Sequence, residues 1–234
     1  MFESLFAKTF SILSLQLAIT WATTVYTINV FRDKYAEGKW GLQATKNAEG
    51  ELDIHLDFQV IKPYFWTLLI VDIAIFLVLL NYGQNNLMLG LPLFSVWSWL
   101  TGVELGLCLI SVDENLGAKV LAITASITLG TAVYGMSTTS DLSFLGPILF
   151  LSLMILIAFN IIRLLFSISR TKQRIMACFG CVIFTGYLIY DFNILAQAAK
   201  EKALNTWPVA MNLAINLYLD IINLFLEILD AMSD

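Results

Sequence analysis

The sequence predicts an all-α, polytopic bundle of seven transmembrane helices. Composition is the first reason. Of 234 residues, 59% are hydrophobic and 13% charged, about half the charge of a soluble domain, and mean hydropathy is +0.79. The second is the distribution of that apolarity. Seven runs, Phe6–Val30, Tyr64–Tyr82, Leu87–Val112, Ala118–Met136, Ser143–Ser167, Ile175–Ala198 and Pro208–Leu229, are each long enough to cross a hydrocarbon core as a helix. The third is the prolines. Pro63, Pro92, Pro147 and Pro208 all lie near predicted span starts, where a missing N–H has no intrahelical partner to lose.

The first run is read as a retained span. It opens on Met1-Phe2-Glu3 without a basic n-region, runs long for a secretory signal, and lacks a small-x-small cleavage site. Residues 31–62 form the one substantial polar segment, a loop between the first and second spans of an otherwise single membrane domain, residues 1–234. Its charges nearly cancel, which suits a solvated cap. Within it, Glu51-Leu-Asp-Ile-His-Leu-Asp-Phe-Gln-Val60 alternates polar and apolar, which predicts a short strand or hairpin. The remaining connections are short, so successive spans are antiparallel. No internal repeat interrupts them.

Orientation follows from the basic residues. With the amino terminus outside, Arg32, Lys34, Lys39, Lys46, Lys62, Lys119, Arg170, Lys172 and Arg174 fall inside, against Lys8, Lys200 and Lys202 outside. The positive-inside rule then places the carboxyl terminus inside. A net charge of −5 argues against nucleic acid as a partner; the bilayer is the expected one. Cys178 and Cys181 match C-x-x-C. Without a second thiol pair or a nearby histidine they read as packing rather than a metal or redox site.

The chemistry concentrates on acids at membrane depth. Asp191 and Asp220 lie in the sixth and seventh runs, where an unpaired carboxylate costs about 2.5–3.5 kcal/mol on insertion scales. They must face protein, water or each other. On the last run, Asn212, Asn216, Asp220, Asn223 and Glu227 are spaced by 4, 4, 3 and 4, within an arc of about 80° on a helix. Two readings stand beside each other. Asparagines glue membrane helices together, whereas a stripe that also carries acids lines a hydrated cavity, and the two acids favour the cavity. Antiparallel packing across the short link Lys200–Thr206 brings Asp191 and Asp220 to similar depths. Two carboxyls in contact cannot both ionise cheaply and share a proton. The pair is then closed while protonated and open when ionised.

Asp72 and Glu104 are further intramembrane acids and candidate cavity lining. Glu104 sits in Thr101-Gly-Val-Glu-Leu-Gly106, where Gly102 and Gly106 invite close helix approach. Arg163 is expected to snorkel to the interface.

These residues carry a family resemblance. Phe184-Thr-Gly-Tyr-Leu-Ile-Tyr-Asp-Phe-Asn-Ile194 and Ala214-Ile-Asn-Leu-Tyr-Leu-Asp-Ile-Ile-Asn-Leu-Phe-Leu226 resemble the aspartate motifs of the transmembrane Bax inhibitor motif family. Thr101–Gly106 is similar to its third-helix signature, and Tyr134 through Gly146 to the stretch joining its fourth and fifth helices. Coverage runs from about Tyr64 to Leu229. The resemblance implies a seven-helix fold with the last helix central. It also implies a calcium leak regulated by pH through an aspartate pair that matches Asp191 and Asp220, which would meet calcium transiently. It further implies calcium homeostasis, stress and cell-death regulation in eukaryotes, and an inner membrane in bacteria. The chain departs in two places. Asp72 matches a second-helix acid, yet Asn81-Tyr-Gly-Gln-Asn-Asn86 offers no arginine to latch the pair. The loop 31–62 is longer than usual, pointing to a membrane-protein partner and to a second reading as a non-transporting subunit. An intramembrane protease is disfavoured, because no Gly-x-Gly-Asp surrounds either aspartate. No enzyme chemistry and no cofactor are expected.

Overall fold

Among the described residues, seven long helices form where the apolar runs lie, and most continue past the ends of those runs. A computed structural model describes residues 3–36, 42–46, 52–56, 58–83, 86–110, 112, 114–166 and 168–233. In chain order these are α1 (Leu5–Ala36), β1 (Leu42–Lys46), β2 (Leu52–Leu56), α2 (Phe58–Val78), α3 (Leu87–Leu109), α4 (Glu114–Ser137), α5 (Leu145–Leu165), α6 (Arg170–Ala198) and α7 (Trp207–Met232). A π-helical turn, Leu79–Gly83, ends α2, and a 3₁₀ turn, Lys202–Leu204, precedes α7. All seven α-helices include a stretch long and apolar enough to span a membrane.

The hydropathy reading underestimates several helices for a physical reason. An apolar run marks only the hydrocarbon layer, whereas backbone groups in the interface still gain by completing another helical turn. So α1 continues six residues beyond Val30, and α6 begins at Arg170 rather than Ile175. Residues 31–36 and 58–62 of the expected polar loop are therefore helical. Between them β1 and β2 pair antiparallel with Leu42 opposite Leu56 and Lys46 opposite Leu52; of the period-two segment 51–60, Leu52–Leu56 is the strand β2, whereas residues 58–60 are helical. Two prolines sit deeper than expected. Pro147 and Pro208 occupy first turns, but Pro63 and Pro92 are the sixth residues of α2 and α3.

The chain forms two compact units, Ser14–Asp113 and Met1–Leu13 with Glu114–Asp234. In the first, α1 and α3 approach closely along a threonine seam. A side chain at Gly102 would strike the Thr20 carbonyl and Thr23, and one at Gly106 would strike Thr27. Thr20 Oγ1 donates to the Ser98 carbonyl and Thr24 Oγ1 to the Gly102 carbonyl, each at 3.1 Å. The expected small-residue contact is thus a hydrogen-bonded one.

In the second unit, α7 packs on α6 and α4, and α5 packs on α6. Among the spans α7 has the largest buried share. Lys8 ties the start of α1 to the α6–α7 link, donating to the Asn205 carbonyl and Oδ1 at 2.8 and 2.9 Å. On α5 Ile148, Leu151 and Ile155 are exposed, a surface only lipid solvates well.

Candidate functional site

The short α6–α7 link makes these helices antiparallel neighbours and sets Asp191 beside Asp220. Their carboxyls are in hydrogen-bonding contact, and each residue is 6% exposed. Leu188, Leu195, Leu217 and Leu224, one turn away on the two helices, are fully buried. Two carboxyls in contact in such surroundings cannot both ionise cheaply. Asp220 Oδ2 is buried without a hydrogen-bond partner among the described residues. The pair is held but not saturated.

A second polar network fixes α6 around the pair. Asn193, 1% exposed, accepts from the Leu142 N–H at 3.3 Å and from Gln197 Nε2 at 2.8 Å. Its own Nδ2 donates to the Gly135 and Ser140 carbonyls at 3.3 and 3.2 Å. Gly135 lets the α4 backbone reach α6, because a Cβ there would meet the Ile189 carbonyl and Phe192. Asp141, in the α4–α5 connection, accepts from the Ser143 N–H at 2.9 Å. That backbone bond, helped by the Ser143 and Gln197 side chains, holds its carboxyl below the usual range.

Elsewhere on the stripe, burial is graded. Asp220 is buried, Asn216, Asn223 and Glu227 are half-buried, and Asn212 is exposed. Asn223 Nδ2 donates to the Leu219 carbonyl of its own helix at 2.8 Å, so this amide does not glue two helices. Glu227 lies on Gly180 of α6, where any Cβ would overlap its carboxyl. Asp72 and Glu104 belong to the other unit. There Glu104 is within electrostatic reach of Asp72, and the Trp97 indole lies against the Asp72 carboxyl.

Besides Asn193, three further features are not evident from the sequence. The Tyr187 phenol, one turn before Asp191, lies within electrostatic reach of both aspartates; its i, i+4 spacing was the available signal. Asp230 continues the α7 stripe in the same arc. Arg163 does not simply snorkel: it donates to Asp230 at 2.5 and 3.3 Å. Arg170 joins it at 2.7 Å and also donates to the Asp230 and Ser233 carbonyls, with Arg174 on Ser233 at 2.8 Å. The arginines satisfy the carbonyls that a helix end leaves without partners. Their partners lie 59 to 67 residues away in sequence, which is why no local pattern shows them. Among the described residues, no group of three or more metal-ligating side chains forms.

Seven apolar spans with a buried carboxyl pair define a multi-pass integral membrane protein. The chain belongs to the Bax inhibitor family: the family described as Inhibitor of apoptosis-promoting Bax1 matches residues 3–234. Among its relatives, Protein LIFEGUARD 1 of Arabidopsis thaliana is 25% identical over 232 residues, 97% of this chain and 87% of its own length. Protein LIFEGUARD 2 of the same plant is 27% identical over 238 residues, 98% and 87% respectively. A Helicobacter pylori protein is 27% identical over 182 residues, 76% of this chain and 75% of its own length.

Proposed function

We propose that the protein is a passive, pH-sensitive cation leak, with calcium as the permeant ion and Asp191–Asp220 as its gate, serving calcium homeostasis and the regulation of cell death and stress. The observation that carries the reading is the hydrogen-bonded carboxyl contact buried between α6 and α7. While the pair holds a proton, the two helices are joined. Losing it leaves two like charges in contact, which repel and separate the helices. Flux therefore rises as pH rises. Carboxylates and amide carbonyls are the oxygen ligands a hard cation accepts, so Asp191 and Asp220 meet calcium transiently without forming a resident site. The reading needs no cofactor and assigns no enzymatic chemistry.

The test is calcium flux into liposomes as pH is varied. Asp191→Asn or Asp220→Asn keeps a hydrogen bond but cannot ionise, so flux is expected to fall to near background and lose its pH dependence. Unchanged flux in both variants rejects the gate.

The paired strands β1 and β2 favour a second reading, in which residues 31–62 dock a membrane-protein partner and the chain is a non-transporting subunit. Stoichiometric co-purification through this segment, with no flux by the isolated protein, would decide for it.

A further inference from the structure

We propose that the α7 face from Asp220 to Asp230 is a water-filled access path for protons, joining the aspartate pair to the carboxyl-terminal side of the membrane. Glu227 is its intermediate carboxyl, and the Arg163–Asp230–Arg170 cluster is its lid. The proposal rests on the leak reading for its purpose, and on geometry of its own.

Asp220, Asn223, Glu227 and Asp230 share one helical face, with Glu227 about 10 Å along the axis from Asp220. That gap is too long for direct proton transfer and needs intervening groups. Asn223, between Asp220 and Glu227 on the helix, is half-buried, and the Tyr187 phenol on α6 lies within electrostatic reach of both aspartates. At the inner end of the gap lies the buried Asp220 Oδ2, which lacks a hydrogen-bond partner among the described residues.

Glu227 occupies a notch. Gly180 is the residue that makes room, since a Cβ there would overlap the carboxyl. Cys181 borders it from α6, and Arg163 and Asp230 lie within electrostatic reach. From α4 no charged residue lies between Val120 and Ser137. Among the described residues, no protein donor hydrogen-bonds Glu227. A half-buried carboxyl with no protein donor is stable where water supplies the hydrogen bonds.

At the mouth, Asp230 is held by Arg163 and Arg170 at 2.5 and 2.7 Å. Transfer conserves charge at each step. A hydronium at the mouth protonates the Glu227 carboxylate and leaves as water. Glu227 then passes the proton through water to the ionised pair and is a carboxylate again.

The protein carries its own probe. With Cys108→Ser and Cys178→Ser, Cys181 is the single remaining thiol of three. A thiolate in water attacks charged, membrane-impermeant methanethiosulfonates, forming a mixed disulfide and releasing methanesulfinate. Applied to the carboxyl-terminal side of sealed vesicles, the cationic reagent is expected to label Cys181 about tenfold faster than the anionic one, and Glu227→Gln to abolish that preference. Arg163→Gln should open the lid and speed both reagents about tenfold, with Arg163→Lys close to the unmodified rate. An inert Cys181, labelling confined to the opposite side, or a preference indifferent to Glu227→Gln overturns the path. Size-exclusion profiles identify any variant that misfolds, and Glu227→Asp then replaces Glu227→Gln with the preference expected to persist. Labelling does not depend on flux. A protein that labels as expected but does not leak refutes the leak and leaves the path intact.

Discussion

Asn193 uses both ends of its amide to fasten the α4–α5 connection onto α6, two residues from Asp191. Replacing it with alanine would orphan the buried Leu142 N–H and remove bonds to Gly135, Ser140 and Gln197. Asn193→Ala is therefore expected to cost about 2–4 kcal/mol, read as a lower melting temperature in detergent; an unchanged melting temperature would show the network to be idle. Asp141 offers a pH test nearby. Its carboxyl is held low by the Ser143 N–H in the folded protein, so its contribution is present above the unfolded pKa, about 3.9, and is lost as pH falls through the lower folded value. Wild type should lose stability over that acid window more steeply than Asp141→Asn. Asp191 and Asp220 were legible as a pair because charge in an apolar run is conspicuous. Asn193 was not, because one amide in a motif looks like any other until its four partners are known.

At the scale of elements, glycine decides how closely helices approach. A side chain at Gly135 would press on the Ile189 carbonyl and Phe192, whereas Gly130, one and a half turns earlier on α4, has nothing within 4 Å among the described residues. Gly135→Leu should separate α4 from α6 and destabilise by about 1–3 kcal/mol, while Gly130→Ala should be neutral or mildly stabilising. Equal melting temperatures for the two variants would refute this account of the crossing. The helices themselves were readable from hydropathy because lipid forces every spanning backbone into one. Their ends were not, since Arg170, Thr171 and Lys172 are polar yet helical. Pro92 shows the same limit, lying inside α3 rather than at its edge.

For the molecule as a whole, the seven spans and the basic residues predict an external amino terminus and an internal carboxyl terminus. Arg163, Arg170 and Arg174 gather around Asp230 and Ser233, which puts positive charge at the end of α7 that the positive-inside rule assigns to the inside. A protease site appended after Asp234 should be cut in inverted vesicles and protected in right-side-out ones. The opposite pattern would reverse the topology.

Hydropathy alone determined the number of spans and placed Asp191 and Asp220 inside apolar runs. These follow from the bilayer acting on each segment separately. Only the tertiary structure decided which groups meet. It put Glu227 in the notch at Gly180 and Arg163 on Asp230. Such contacts depend on the axial register of neighbouring helices. That register is set by small residues and by polar groups that need partners, and residues 67 apart in the chain carry no local trace of it.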